Sequence, residues 1–310
     1  MTLALIFPGQ GSQYVGMGQA LADAHPRAAE VLARANEVLG FDLARLMREG
    51  PEDELTETRN AQPAIFVHSV AAFEAARDRL GPPAFGAGHS FGEFSAHVAA
   101  GTLAFDDALA AVRLRGELMF EAGRTRPGAM AAVLGVSDAA IEAACAKVTA
   151  GICQPANFNS EGQVVISGDV AGVEEGTRLV KEAGAKRVIP LKVSGAFHSA
   201  LMEPAVAPLR KRLEAMEFRA PRFQVVSNVT ARPVTTAEEA RELLVRQVTS
   251  PVRWAETVAT MVAAGADRFV ELGPGKVLAT LNRRNAPNAA TSYVGESADL
   301  AALAGAAGAA

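Results

Sequence analysis

Ser90 lies in the segment "GAGHSFGEFSA", residues 86–96, with Gly88 two positions before it and Gly92 two positions after. The segment fits G-x-S-x-G, the pattern of a strand that reverses sharply into a helix with the serine in a strained backbone conformation. Side chains at either flanking position would collide, so glycine fills both. The turn aims the hydroxyl at the mouth of the sheet. The amide of Phe91 opens the helix that follows, points at the same space and can stabilise an oxyanion. The chemistry expected of such a serine is nucleophilic acyl transfer, provided that a base reaches it. Without one, it reduces to a helix-capping serine in a glycine turn.

The chain has five histidines. His89 adjoins the serine, and neighbours on a sharp turn point apart. His97 shares the serine's helix face but sits roughly 10 Å away at helical rise. His25, before Pro26, and His68, on an amphipathic helix, read as structural. His198 lies in "VSGAFHSAL", between a strand end and a helix start. Functional side chains gather at such positions, and His198 is the candidate base. No Asp or Glu stands out to orient its imidazole, so a backbone carbonyl could serve instead.

A charge without a neighbour is the third signal. In "DDALAAVRLRGELMFEAG", Arg113 has Glu117 one helical turn on, a natural ion pair. Arg115 has Ala111, Val112, Leu118 and Met119 at the equivalent positions, all apolar. A buried arginine without a partner is expensive. Three readings stand: a distant carboxylate pairs with it, it snorkels to solvent, or the anion belongs to the substrate. Guanidinium holds carboxylate in a bidentate fork, so the last reading suggests an acyl group carrying a free carboxylate.

These residues need a scaffold. "LALIF" running into "PGQGSQ" reads as a buried strand and a glycine-rich loop. Helices are expected over about 20–39, 62–80, the stretch from Ser90 to Gly101, and 106–122 with Asp106 as N-cap. "PAFGAG" is a short strand. From 125 to 192 the order becomes β-α-β-β-α-β, with Ser137 capping the first helix, which is the ferredoxin-like unit. The alternative is that these elements extend the main sheet. Beyond them come a helix over 200–216, the strand "FQVVSNV", helices over 236–248 and 252–264, "DRFVELGPG" as strand into loop, and a helix over 276–284. These readings give an α/β main domain at 1–124 and 193–297, an insert at 125–192, and a tail at 298–310 expected to fray.

With 49% apolar residues over 310 positions a sizeable core is available, and a net charge of −4 gives no reason to expect nucleic-acid or membrane partners. Cys145 and Cys153 lack metal-ligand or CxxC spacing. They read as reduced core residues of a cytoplasmic protein. The N-terminal apolar run is too short for a signal peptide or a membrane span. "PGQGSQ" lacks G-x-G-x-x-G spacing and a P-loop lysine, which argues against a nucleotide role.

With Ser90, His198 and Arg115 in hand, the chain resembles the malonyl-CoA:acyl-carrier-protein transacylases, the stand-alone acyltransferases of type II fatty-acid synthesis. The matching segments are "FPGQGSQ", "GHSFGE", "RG" at Arg115, "NFNSEGQVVISG", "GAFHSALM", "LVRQVTSPVRW" and "ELGPGKVL". The resemblance implies an α/β-hydrolase-like larger subdomain with a parallel sheet and a ferredoxin-like insert. It implies Ser90 as nucleophile, His198 as general base and Arg115 as holder of the malonyl carboxylate. The Gln10 and Phe91 amides would form the oxyanion hole, and the main-chain carbonyl of Gln247 would hold the histidine. Asn157 and Asn159 would line the cleft between subdomains. Phe197 resembles the malonyl-selective pattern, its bulk crowding an α-methyl group. Gly195 stands where related synthase domains more often carry His, which leaves that selectivity open, since one methyl is worth only ~1–3 kcal/mol. Malonyl-CoA and acyl carrier protein are the implied partners, with no cofactor and no metal, and the chain is expected to act as a monomer. A basic rim for an acidic carrier would come from Lys186, Arg187, Lys192, Arg283 and Arg284, which read equally as solvated charge. The rival readings are a serine hydrolase or thioesterase, a non-catalytic docking module, and a trans-acting acyltransferase of polyketide synthesis.

Overall fold

A computed structural model describes residues 1–307 of the chain. Among them the strands are β1 (Leu3–Phe7), β2 (Pro83–Gly88), β3 (Gly128–Leu134), β4 (Cys153–Ser160), β5 (Gln163–Asp169), β6 (Arg187–Pro190), β7 (Gln224–Val225), β8 (Arg268–Leu272) and β9 (Ala290–Val294). One sheet has the order β7-β2-β1-β8-β9 with every neighbouring pair parallel. The other has the order β4-β5-β3-β6 with every pair antiparallel. The expected α/β class with a parallel sheet and a separate small sheet is borne out.

β1 is buried along its whole length, as the uninterrupted run "LALIF" requires of a strand covered on both faces. Leu3, Leu5 and Phe7 pack with Ile65 and Phe66 of the helix Thr58–Leu80. Ala4 and Ile6 point the other way, to Trp254 and Val258 of the helix Trp254–Ala263. Burying such a side chain fully contributes about 1.5–3 kcal/mol. This two-sided core fixes the register of β1 against β2, in which Phe7 pairs with Gly88. The two strands therefore end level, and the loops after them, carrying Gln10 and Ser90, leave the sheet side by side. Open α/β sheets bind ligands at this edge, outside the carboxyl ends of their strands.

The turn after β2 is as tight as its glycines suggest. A Cβ on Gly88 would lie 1.9 Å from the carbonyl carbon of Gly92, and one on Gly92 would lie 2.5 Å from the Phe7 oxygen. Both obstacles are backbone, so no side chain can swing aside. Gly88→Ala is expected to cost at or beyond the upper end of the ~1–3 kcal/mol typical of overpacking. Its urea midpoint should fall well below wild type, and an unchanged midpoint would contradict this steric account.

The insert follows its own rules. The strand order is that of a βαββαβ ferredoxin-like unit, so the insert does not extend the main sheet. The helices Asp138–Cys145 and Val170–Glu182 start on side-chain caps from Ser137 and Asp169. They cover one face of the small sheet, where Val133, Ile141, Val164, Ile166 and Val180 form a core. Met130 and Val165, on the opposite face, join the main core. The edge strand β4 is pinned to the main domain: the Val252 amide donates to the Ala156 carbonyl at 2.8 Å, and the Phe158 amide to the Val252 carbonyl at 2.9 Å.

Some elements differ from expectation. The helix expected over 20–39 is two, Gln19–Ala24 and Pro26–Leu39, divided at His25, which is extended at φ −140°. Pro26 cannot continue a helix but suits the first position of one. The helix expected to be capped by Asp106 starts at Phe105 with Ala104 as N-cap, and Asp106 sits in its first turn. Strand β9 was not anticipated. The tail expected to fray from 298 carries a helix, Ser297–Ala307, with Leu300 and Leu303 buried; residues 308–310 lie outside the described residues.

Candidate active site

Ser90 and His198 both have positive φ, 55° and 56°, where β-carbon sterics disfavour any residue but glycine. The strain sits where the two side chains must meet. Ser90 Oγ lies 2.8 Å from His198 Nε2. His198 Nδ1 lies 2.9 Å from the Gln247 carbonyl and 3.2 Å from that of Ser250. Carbonyls only accept, so Nδ1 carries the proton and Nε2 is left to accept from the serine. Two backbone oxygens thus do the orienting that an acid does elsewhere. Burial, with the positive Arg115 nearby, pushes the His198 pKa down to about 3, so the imidazole is neutral near pH 7.

Arg115 is fully buried and its Nη2 donates to Ser90 Oγ at 3.1 Å. Its other partners are amide oxygens: Gln62 Oε1 at 2.8 Å and Gln247 Oε1 at 3.1 Å. No carboxylate among the described residues forms an ion pair with it. The distant acid considered from sequence exists as Glu93, but it is one step removed, because Gln247 Nε2 donates to Glu93 Oε2 at 2.7 Å. The guanidinium does not snorkel. Burial lowers its pKa to about 9, and the Glu93 charge opposes that shift. It stays charged at pH 7, beside the Ser90 hydroxyl, with Nε lacking a partner.

A cavity of about 270 Å³ opens over Ser90 and His198, lined among others by Gln10, Gln62, Met119, Asn157 and Phe197; Arg115 does not line it but stands behind Ser90 and Gln62, which do. The amides of Gln10 and Phe91 donate to no other described residue, while the Ser90 amide is taken by Asn228 Oδ1 at 2.7 Å. A wider groove of about 730 Å³ shares Gln10, His89 and Asn157 with the cavity and extends past Asn159 to Lys276, Arg283 and Arg284. Asn159 holds His89 at 2.8 Å. Of the basic residues expected at a rim, Lys192 lines the cavity and Arg283 and Arg284 line the groove, whereas Lys186 and Arg187 line neither.

Sequence reasoning missed Gln62, Glu93, Asn228 and Ser250. Asn228 braces the elbow twice, accepting from the Ser90 amide and donating to the Gly88 carbonyl at 2.7 Å. Glu93 is fully buried, and burial raises its pKa to about 7 despite donation from the Asn228 amide and Gln247. Its position three residues after the serine was visible in "GHSFGE", but nothing local says that it turns inward.

Neither His68 nor His97 lines the cavity or the groove. His68 bonds the Gly295 carbonyl at 2.8 Å. His97 is fully buried with neither ring nitrogen partnered, and burial lowers its pKa to about 4. A group whose folded pKa lies below its unfolded value binds protons preferentially in the unfolded chain, so stability is lost as pH falls from about 6.5 towards 4. His97→Leu removes one such group, worth at most about 1.4 kcal/mol per pH unit. Going from pH 7.5 to 5, the variant should lose less Tm than wild type; equal losses would show His97 already protonated or differently placed.

A neutral imidazole held on a strained serine, at the carboxyl edge of a parallel sheet, with the neighbouring Gln10 and Phe91 amides unpaired, defines a serine-based acyl-transfer enzyme. The chain belongs to the acyl transferase domain family, whose model matches residues 4–301. It is 46% identical over 284 residues to the malonyl CoA-acyl carrier protein transacylase of Bacillus subtilis, covering 91% of this chain and 90% of that protein. It is 44% identical over 301 residues to the Escherichia coli K12 protein of the same name, covering 96% and 97%. A solved acyl carrier protein S-malonyltransferase from Vibrio cholerae superposes with a TM-score of 0.94 at 44% identity, covering 98% of this chain and 100% of that one. A malonyl-transacylase in complex with a type II polyketide acyl-carrier protein superposes equally, TM-score 0.94 at 43% identity, covering 99% and 100%. No helix among the described residues is long and apolar enough to cross a membrane.

Proposed function

We propose that the chain transfers a malonyl group from malonyl-CoA to the phosphopantetheine thiol of acyl carrier protein through a malonyl-serine ester. The observation that carries this reading is Arg115: a buried, charged guanidinium 3.1 Å from the nucleophile with no carboxylate bound to it. An acyl group ending in a carboxylate supplies the missing anion; acetyl does not. Phe197 in the cavity wall supports malonyl over its α-methyl homologue. The names of the relatives agree with the same substrates.

His198 Nε2 takes the Ser90 proton as Oγ attacks the thioester carbonyl. The oxyanion forms against the Gln10 and Phe91 amides. The carbon–sulfur bond breaks, and the coenzyme A sulfur leaves with the proton from the imidazolium. The ester remains with its carboxylate on Arg115. The carrier thiol then gives its proton to His198, attacks the ester and releases Ser90 Oγ, which recovers that proton. Side chains, amides and the two thiols perform every step, so no cofactor enters. The groove past Asn157 and Asn159 takes the pantetheine arm, with Lys276, Arg283 and Arg284 facing the phosphates or the acidic carrier. The enzyme acts as a monomer in the cytoplasm. Its client is a fatty-acid carrier; a polyketide carrier is the second candidate, favoured by the likeness to the transacylase solved with one.

Exposure to malonyl-CoA, quenched in acid, should leave one malonyl adduct by intact mass, discharged by added carrier protein. Malonyl should be preferred over methylmalonyl and acetyl. Free malonate as the main product in the presence of carrier would make the protein a hydrolase, and no adduct would leave only a docking scaffold.

A further inference from the structure

Cys145 and Cys153 read from sequence as separate core thiols, but the fold brings their sulfurs to 3.7 Å. Cys145 ends the helix Asp138–Cys145 and Cys153 begins β4. Both line a cleft of about 350 Å³ on the insert, together with Gln154, Pro155 and Pro251. Cys145 is nearly buried at 7% exposure and Cys153 is half-buried. A peroxide-sized molecule fits such a cleft. The two thiols are in hydrogen-bond contact: donation from Cys153 lowers the Cys145 pKa, and the same contact raises that of Cys153. Cys145 is therefore the better thiolate.

The cleft backs onto the catalytic histidine by two routes. Gln154, next to Cys153, donates to the His198 carbonyl at 3.5 Å and accepts from the Ala200 amide at 3.3 Å. On the other side β4 is paired with Val252, two residues after Ser250, whose carbonyl holds His198 Nδ1. Both routes are contiguous hydrogen-bonded backbone and side chain, along which a displacement of β4 can reach the histidine.

We propose that Cys145 and Cys153 are a peroxide-sensitive dithiol whose oxidation to a disulfide displaces the start of β4 and loosens the seating of His198. The Cys145 thiolate attacks one peroxide oxygen; the sulfur–oxygen bond forms as the oxygen–oxygen bond breaks, and hydroxide leaves. The Cys153 sulfur then attacks the sulfenic acid, the sulfur–sulfur bond forms, and the hydroxyl departs as water with the remaining proton. Two thiols and one peroxide become one disulfide and two waters. Contraction from 3.7 Å to the ~2.05 Å of a disulfide moves one cysteine or both. Cys153 Sγ is seated where a Cβ on Gly176 would lie, 2.5 Å away, so closing the bond draws it off the helix Val170–Glu182 towards Cys145 and pulls on the start of β4, which carries it.

The chain has only these two cysteines, which makes the experiment clean. Reduced protein is titrated with hydrogen peroxide, then assayed for intact mass, linked peptides and malonyl transfer. The expected result is loss of two hydrogen atoms, a Cys145–Cys153 linked peptide, and a fall in transfer on the order of tenfold, all reversed by dithiothreitol. Cys145→Ser and Cys153→Ser should keep their transfer rates under the same peroxide. Thiols that stay free, or oxidise without linking, would overturn the proposal. A disulfide that forms with transfer unchanged would overturn its coupling to His198. The linked peptide is read on wild-type protein without reference to any acyl group, so its absence would leave the acyl-transfer reading untouched.

Discussion

Ser90→Ala is expected to abolish the covalent acyl-enzyme and to lower transfer by about 10⁴-fold or more. The substitution removes one oxygen and little else. The strained backbone at φ 55° is held from outside the side chain, by Asn228 on the Ser90 amide and by the contact of Gly88 with Gly92. Alanine can therefore occupy the same turn, and the melting temperature should stay near wild type. What is lost is the atom that both His198 Nε2 and Arg115 Nη2 address. The cavity, the free amides and the Arg115 guanidinium remain, so malonyl-CoA should still bind. The informative pattern is thus binding without an adduct. An adduct of undiminished yield on Ser90→Ala would place the acyl group on another residue and remove the basis of the two-step scheme.

How much of this was legible in the sequence depends on how local the cause is. The glycines around Ser90 announce themselves because the collision they avoid lies within five residues. Arg115 was found because a helix fixes its neighbours, and all of them are apolar. His198 emerged by elimination: His89 points away from its neighbour Ser90, His97 lies too far along the helix, and His25 and His68 have ordinary settings. The residues that were missed act across the fold. Gln62 belongs to the helix Thr58–Leu80, and Asn228 follows the short strand β7; neither has a sequence neighbour that predicts its target. The thiol pair was dismissed because its spacing matches no motif, yet a helix end and a strand start meet in the insert. Strand β9 was passed over because its sequence "ATSYV" lies at the sheet edge with only Val294 fully buried, so it lacks the continuous apolar run that marks β1. The break at His25 was legible in principle, since Pro26 marks the start of a new helix.

Arg115→Ala should lower kcat/KM for malonyl-CoA by about 10²–10⁴-fold, the ~3–5 kcal/mol of a buried charge pair broken on one side, while acetyl-CoA changes little. The preference between the two acyl groups, not the absolute rate, is the diagnostic. Truncation also strands Gln62 Oε1 and Gln247 Oε1, which now accept from the guanidinium. Some stability is lost with them, and a thermal melt separates that loss from the change in preference. A second readout follows from charge. Arg115 helps to depress the His198 pKa, so without it that pKa rises. Activity that depends on neutral imidazole is lost as pH falls through this value, and the acid limb of the kcat/KM profile should move to higher pH in the variant. Arg115→Lys restores the charge but not the fork; it should return the acid limb towards wild type while recovering only part of the malonyl preference. If Arg115→Ala ranks malonyl and acetyl as wild type does, the guanidinium is not the carboxylate's holder, and the selectivity must come from the cavity walls at Phe197 and Met119 instead.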